Sequence, residues 1–247
     1  MKFAVEGATL NVVISGRDEA PVLLLWHGAN CTAHMWDLVV PQLEDRFRCV
    51  RFDVRGVGGS SATEDPQSQY SFEQYAQDAV RILDSIDAAT CHVWSMAWGT
   101  RAALAFCSLY PQRVESAALF DASIGRADVE AQRAGGREAV QKQLADGIDR
   151  FDYPDGWNVH EHPDEVPLAM AAAAKFDLPA AVSRLTMPIL VATGDHDPNL
   201  ASSRELVAAA ENARLVVLGN VGHGSVLQRP DLTVRTFLDF HADLNKL

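Results

Sequence analysis

The chain has 247 residues, of which 48% are hydrophobic and 22% charged, and its formal net charge at pH 7 is −12. This composition is typical of a folded globular protein and excludes disordered, collagen-like and coiled-coil chains. The acidic balance, with basic residues scattered singly, argues against nucleic acid or an anionic membrane surface as a partner. At this length we expect one domain with an insertion.

Cysteine usage and the length of apolar runs indicate in which cellular compartment we expect the protein. The four cysteines are Cys31, Cys49, Cys91 and Cys107. None forms a C-x-x-C pair, so we expect buried free thiols, with neither a disulfide framework nor a zinc site. The first residues alternate in polarity and include Glu6, unlike a signal peptide. The longest apolar run, 168–174, has seven residues, whereas a membrane span needs about twenty. We expect a cytoplasmic protein, and a homo-oligomer is left open.

Short apolar runs alternate with longer amphipathic ones along the chain. An apolar stripe over Ser71–Ile86, with Ser71 and Gln74 as a capping box, predicts a helix. Ser202 with Glu205 predicts a second helix start, and Pro230 a third. This alternation predicts an α/β fold with a mostly parallel sheet covered by helices on both faces. The predicted strands are Leu10–Ile14, Val22–Trp26, Cys49–Phe52, Cys91–Trp94, Ala117–Phe120, Ile189–Thr193 and Leu215–Leu218.

Residues 126–185 interrupt the alternation, because they are rich in charge, alanine and proline and contain no predicted strand. We interpret them as a helical lid over the edge where the strands end, and 1–125 with 186–247 as the core. A surface excursion without a catalytic role is the alternative. Met170 and Phe176 are expected to form an apolar roof. The run His160-Glu161-His162 is interpreted as a solvated loop and not as a metal site.

Polar residues follow five of the predicted strands, and ligands of open α/β sheets bind beyond the carboxyl ends of the strands. These segments read HGAN at 27–30, DVRGVGGS at 53–60, SMAWG at 95–99, GDHD at 194–197 and GNVGHG at 219–224. In this order and spacing they resemble the α/β-hydrolase superfamily, and the resemblance covers nearly all of the chain except the insertion. It implies a doubly wound sheet with a lid inserted after the sixth strand.

The resemblance also implies roles for individual residues. The amides of Ala29 and Trp98 would form an oxyanion hole, His223 would be the base, and Asp197 would be the acid that orients it. Two other carboxylates remain alternatives for the acid: Asp195 and Asp121.

The expected nucleophile position departs from the family pattern. In the frame Ser95-Met96-Ala97-Trp98-Gly99, small residues stand at both ends and Ala97 takes the place of the nucleophile. Pro111, fourteen residues after Ala97, matches a proline of the family and supports this frame. The alternative, Ser95 as nucleophile, places Val93 where the turn favours glycine.

Alanine has no lone pair with which to attack a carbonyl. We interpret the chain as a serine-type hydrolase of small or medium apolar esters or lactones, in an inactivated form with alanine in place of serine. Trp36, Trp98 and Trp157 are expected to wall the pocket. If the replaced residue were aspartate, the resemblance would be to epoxide hydrolases or haloalkane dehalogenases. If alanine is native, a ligand-binding protein or a cofactor-independent lyase or oxygenase using His223 as base is the alternative. No interpretation calls for a cofactor or metal.

Overall fold

The computed structural model describes residues 1–244 and 246. In this part of the chain an eight-stranded sheet has the order β1-β2-β4-β3-β5-β6-β7-β8. β1 and β2 run antiparallel to their neighbours, and the other strands are parallel, which confirms the predicted α/β fold. The strands are β1 Lys2–Val5, β2 Ala8–Ser15, β3 Val22–Trp26, β4 Arg48–Phe52, β5 Cys91–Met96, β6 Val114–Phe120, β7 Ile189–Gly194 and β8 Ala213–Leu218.

Helices flank the sheet. The α-helices are α1 Pro66–Gln69, α2 Phe72–Ser85, α3 Trp98–Leu109, α4 Val129–Ala145, α5 Val166–Met170, α6 Leu178–Val182, α7 Leu200–Ala209, α8 Ser225–Gln228 and α9 Pro230–Leu244. Short 3₁₀ helices cover Ala33–Trp36, Val40–Gln42, Pro111–Arg113 and Ala171–Ala174. The part of the chain that the structure describes contains no helix long and apolar enough to cross a membrane. All four cysteines are free thiols, and each is buried, which agrees with their expected location in the interior.

Local sequence signals explain most of the element boundaries. The hydroxyl of Ser71 accepts the Gln74 N–H at 3.3 Å and caps α2, as predicted. The Ser202 prediction is wrong, because α7 already begins at Leu200 and the Ser202 hydroxyl accepts the N–H of Ile124 instead. Strand β1 was not predicted; it pairs with β2 through a tight turn at Gly7, where φ is 71°.

The long loop after β4 is fixed by a buried ion pair. The guanidinium of Arg55 donates to both carboxylate oxygens of Asp78 on α2, at 2.6 and 2.8 Å. Both side chains are almost fully buried. Earlier in the loop, Asp53 accepts the Ala33 N–H at 2.6 Å. These contacts hold the loop and the segment after β3 together at the carboxyl edge of the sheet.

Between β6 and β7, residues 126–185 contain α4, α5 and α6 and no strand. The segment is therefore helical where it has regular structure. Its long helix α4 lies beside the carboxyl ends of the strands, and α6 and the 3₁₀ helix Ala171–Ala174 pack on α3.

Candidate active site

The turn between β5 and α3 has the strained geometry of a nucleophile elbow. Ala97 lies at this turn with φ 54° and ψ −118°, a conformation that residues with a side chain rarely adopt. Gly99 lets the turn approach β3, since a Cβ there would lie 2.3 Å from the His27 carbonyl oxygen. Ser95 lies fully buried within β5 and its hydroxyl donates to the Ala118 carbonyl at 3.4 Å. The tight turn is therefore at Ala97 and not at Ser95.

His223 and Asp197 meet across two loops beyond the strand ends. The Nδ1 of His223 lies 2.9 Å from Oδ2 of Asp197, whose side chain is fully buried. Burial lowers the pKa of His223, but the hydrogen bond to Asp197 and the charges of Asp197 and Asp121 outweigh it, so the net pKa is raised. The pair can hold the imidazole in one tautomer and stabilise its protonated form.

The two other candidate acids contact backbone amides instead of the imidazole. Asp121 is fully buried, and its Oδ2 accepts the N–H groups of Gly224 and Ser225 at 3.0 and 2.7 Å. Its Oδ1 has no hydrogen-bond partner among the described residues. Burial, followed by the neighbouring charge of Asp197, raises the pKa of Asp121 to about 7. Asp195 is 40% exposed, and its carboxylate accepts the Val221 N–H at 3.3 Å.

Among residues 1–244 and 246, one group of three side chains is close enough together to be considered as metal ligands. It consists of Asp121, Asp197 and His223. One ligand atom of each lies within 4.8 Å of the others. Within this group, Nδ1 of His223 and Oδ2 of Asp197 are already joined by a hydrogen bond. The residues around His160 do not form such a group. Nδ1 of His160 accepts the Gly58 N–H at 3.0 Å, and the carboxylate of Glu165 accepts the Tyr70 hydroxyl. That segment braces the loop after β4.

A cavity of about 800 Å³ lies over the elbow. Ala97 and His223 both line it, as do Ala29 and Trp98, whose amides are predicted to bind an oxyanion. The volume is in the range of small-molecule sites. The structure therefore brings together four of the predicted site residues at one cavity and places Asp197 directly behind His223.

Three predicted substrate contacts lie away from this cavity. Trp36 is fully buried and packs edge-on against Trp94, with ring centroids 5.3 Å apart. The backbone carbonyl of Met170 accepts the indole N–H of Trp98 at 3.0 Å, and this hydrogen bond fixes the orientation of the Trp98 ring. Phe176 packs against Phe72 with ring centroids 5.9 Å apart. Their apolar side chains suggested substrate contacts, but apolarity does not distinguish a residue that packs within the protein from one that lines a cavity.

The cavity is lined by side chains other than Met170 and Phe176, which were predicted to form its apolar roof. Trp157 is among them, as expected, and Tyr153 lies beside it with ring centroids 5.0 Å apart. Helix α4 supplies a wall that includes Val129 and Val140. The weak amphipathicity of α4 gave no sign of this in the sequence, since its cavity face also carries arginine and glutamine.

Comparisons with known proteins bear on the family and the fold of the chain. A family model of the alpha/beta hydrolase fold matches residues 21–158. The chain is 35% identical over 96 residues to "Probable oxidoreductase EphD" of Mycobacterium tuberculosis, an alignment that covers 38% of this chain and 16% of that much longer protein. It is 28% identical to "Putative carbamate hydrolase RutD" of Pseudomonas savastanoi, over 90% of this chain and 94% of that one. The crystal structure of an enol-lactonase from Burkholderia xenovorans superposes with a TM-score of 0.80 at 26% identity, covering 98% of this chain and all of the other.

Proposed function

The chain belongs to the α/β hydrolase family, and we propose that its cavity is the active site of a serine-type hydrolase of carboxylic esters or lactones. In this proposal Ala97 occupies the place of the nucleophile, and the chain as it stands is inactive. The observation that carries the proposal is the strained turn at Ala97, which lines the same cavity as the hydrogen-bonded His223. Residues 126–185 act as the lid.

The residues present account for every role except the nucleophile. A hydroxyl at position 97 would attack the substrate carbonyl carbon, pass its proton to Nε2 of His223, and form a tetrahedral oxyanion. The amides of Ala29 and Trp98 would bind that oxyanion, and one such donor is worth about 3–4 kcal/mol. Collapse would expel the alcohol oxygen, which takes the proton from His223. Water then releases the acid by the same steps.

With alanine at position 97 the acyl-enzyme has no atom on which to form. Loss of a triad member typically reduces kcat by about 10⁶-fold, and binding plus the oxyanion hole retain about 10³–10⁴-fold over water. We therefore expect little or no hydrolysis of simple aryl esters by this chain.

The test is the Ala97→Ser variant treated with a fluorophosphonate probe, with the labelled peptide identified by mass spectrometry. We expect labelling at the introduced serine, and its loss when His223→Ala is added. Ser95→Ala in the same background is the matched control and should leave labelling intact, since Ser95 is buried within β5. Labelling at Ser95, or ester turnover by the unsubstituted chain that Ser95→Ala abolishes, would show that the elbow is misplaced.

A second candidate function is favoured by the intact pair of His223 and Asp197 in a chain without a nucleophile. A base with a raised pKa is suited to removing a proton from an acidic substrate, as in a cofactor-independent lyase or oxygenase. A folded Ala97→Ser protein that neither labels nor hydrolyses a panel of esters and lactones would favour this function. The unsubstituted chain should then catalyse hydrogen–deuterium exchange of a carbon acid, and His223→Ala should not.

A further inference from the structure

Four arginines line the cavity: Arg101, Arg133, Arg137 and Arg150. Among the described residues that line it, none is an aspartate or glutamate. This is unexpected in a chain of formal net charge −12. The cavity therefore concentrates positive charge within an acidic protein, and such a field attracts anions.

None of these four guanidinium groups has a carboxylate partner in residues 1–244 and 246, at a limit of 4.0 Å. Six other arginines do have one, and they are Arg48, Arg51, Arg55, Arg113, Arg214 and Arg229. Arg101 is half-buried and donates to the carbonyls of Ser123 and Gly125, which are neutral acceptors. Arg150 lies 5.3 Å from the ring centroid of Tyr153. The three arginines other than Arg101 are exposed to solvent, so a ligand in the cavity can reach guanidinium groups that no carboxylate of the described residues already occupies.

Helix α4 directs two of the arginines to the cavity despite a cost in helix stability. Arg133 and Arg137 are four residues apart, so they share one face, and like charges at this spacing repel. Elsewhere on the same helix, Glu138 contacts both Lys142 and His196. Among the described residues, neither Arg133 nor Arg137 has such a partner of opposite charge.

Glycines fix α4 against the loop that carries His223. A Cβ on Gly222 would lie 2.5 Å from the Cα of Gly136, and a Cβ on Gly135 would lie 1.9 Å from the His196 carbonyl oxygen. The helix backbone therefore packs directly on the segments that lead to His223 and Asp197. Two glycines within a helix weaken it, but here they hold the arginine face at a set position relative to the base.

We infer that the substrate of this site carries a carboxylate, which the arginine face binds while the ester or lactone carbonyl lies at Ala97. A guanidinium matches a carboxylate with two parallel hydrogen bonds. The cavity, at about 800 Å³, accommodates a molecule that contains both groups. This inference rests on the proposed function and replaces the apolar substrate expected from the sequence with an anionic one.

The test measures binding to the unsubstituted chain, so that it does not depend on turnover. The probes are monobenzyl glutarate, which has a free carboxylate, and its methyl ester, benzyl methyl glutarate, which is neutral. Calorimetric titration gives the Kd of each at 20 and 300 mM NaCl. We expect the carboxylate to bind about tenfold or more tightly than the neutral ester, with a preference that shrinks as salt screens the arginines.

The variant Arg133→Gln/Arg137→Gln should abolish most of this preference and leave the affinity for the neutral ester within about twofold. The matched control, Arg204→Gln/Arg235→Gln, removes the same charge from exposed positions outside the cavity lining and should retain the preference. Circular dichroism and a thermal midpoint show that each variant is folded.

The outcomes separate this inference from the proposed function. Equal affinity for the two probes, or no binding of the carboxylate, overturns the inference even if Ala97→Ser labels with fluorophosphonate. An equal loss of preference in the two double variants also overturns it, because net charge and not the cavity would then be responsible. A carboxylate preference that requires Arg133 and Arg137 upholds the inference even if Ala97→Ser fails to label.

Discussion

The conformation of Ala97 leads to a stability prediction that tests the placement of the elbow. With φ 54° and ψ −118°, this residue is in a region where a side chain costs about 1–3 kcal/mol. Replacement by glycine removes that strain. Glycine normally destabilises a folded protein, because it enlarges the unfolded ensemble and removes a methyl group from the interior. At Ala97 these effects oppose the relief of strain.

The magnitude follows from the three contributions. Strain relief adds about 2 kcal/mol to the free energy of unfolding. The added freedom of the unfolded chain subtracts about 0.7 kcal/mol, and loss of the methyl group from a residue that is 7% exposed subtracts about 0.8 kcal/mol. We therefore expect Ala97→Gly to raise the free energy of unfolding by about 0.5 kcal/mol. Ala134→Gly, at an exposed position within α4, should lower it by about 1 kcal/mol.

Urea unfolding followed by circular dichroism compares the two variants with the parent under identical conditions. Both replacements turn alanine into glycine and remove one methyl group, so the difference in unfolding free energy between the two variants isolates the effect of the backbone conformation. A loss of stability at Ala97→Gly equal to or larger than that at Ala134→Gly would refute the reasoning. Ala97 would then have an ordinary backbone conformation, and the case for the elbow in this frame would lose its structural basis.

Two further predictions concern titration. Folding raises the pKa of Asp121 to about 7, so the folded protein binds the proton of this carboxyl more tightly than the unfolded chain does. The stabilisation that results is complete below about pH 4, the pKa of an aspartate in the unfolded chain, and is lost as the pH rises to 7. Asp121→Asn should remove this loss of stability, which is at most about 1.4 kcal/mol per pH unit. The free energy of unfolding in urea, measured at pH 5 and pH 8 for the parent and the variant, tests this. If the difference between the two pH values is the same in both proteins, the prediction is wrong. In Ala97→Ser, ester hydrolysis should reach half its maximum above the pKa of a free imidazole, about 6.5, because the pKa of His223 is raised. Asp197→Asn should move that midpoint to lower pH and reduce kcat by about 10⁴-fold, and a midpoint that does not move would argue against Asp197 as the partner.

The strands of the parallel sheet were predictable because burial on both faces leaves a clear mark in the sequence. Val22–Trp26 forms β3 without a change of boundary, and its five residues are all buried. β1 was missed because it is an edge strand of only four residues, Lys2–Val5, in which exposed and half-buried residues alternate and none is fully buried. The start of α7 was misplaced because Asp197 accepts the Asn199 N–H at 2.9 Å, and the chain turns there before Ser202.

The site was predictable where short motifs fix the backbone, and not where the substrate cavity is assembled from separate segments. The resemblance to the α/β-hydrolase pattern, with Gly99, Pro111 and the end of the preceding strand as its anchors, places the turn at Ala97, where the structure has it. No local pattern brings Arg101, Arg133 and Arg150 together, because they lie on α3, on α4 and in the loop beyond it. A sum over the sequence gives a charge of −12 and suggests a repulsive surface for anions. The field within a cavity depends on the few charges that line it.

The contacts of two neighbouring carboxylates support different roles for them. Asp197 accepts from Nδ1 of His223, so its charge acts on the imidazole itself. Asp121 accepts the amides of Gly224 and Ser225, the residues that follow His223, so it holds the loop in place. Two ionised carboxylates this close repel each other in a buried site, and burial together with the charge of Asp197 raises the pKa of Asp121. A proton on the unpaired Oδ1 of Asp121 would leave both amide hydrogen bonds to Oδ2 in place, so this carboxyl can hold the loop in either protonation state, whereas the hydrogen bond of Asp197 reaches the imidazole itself.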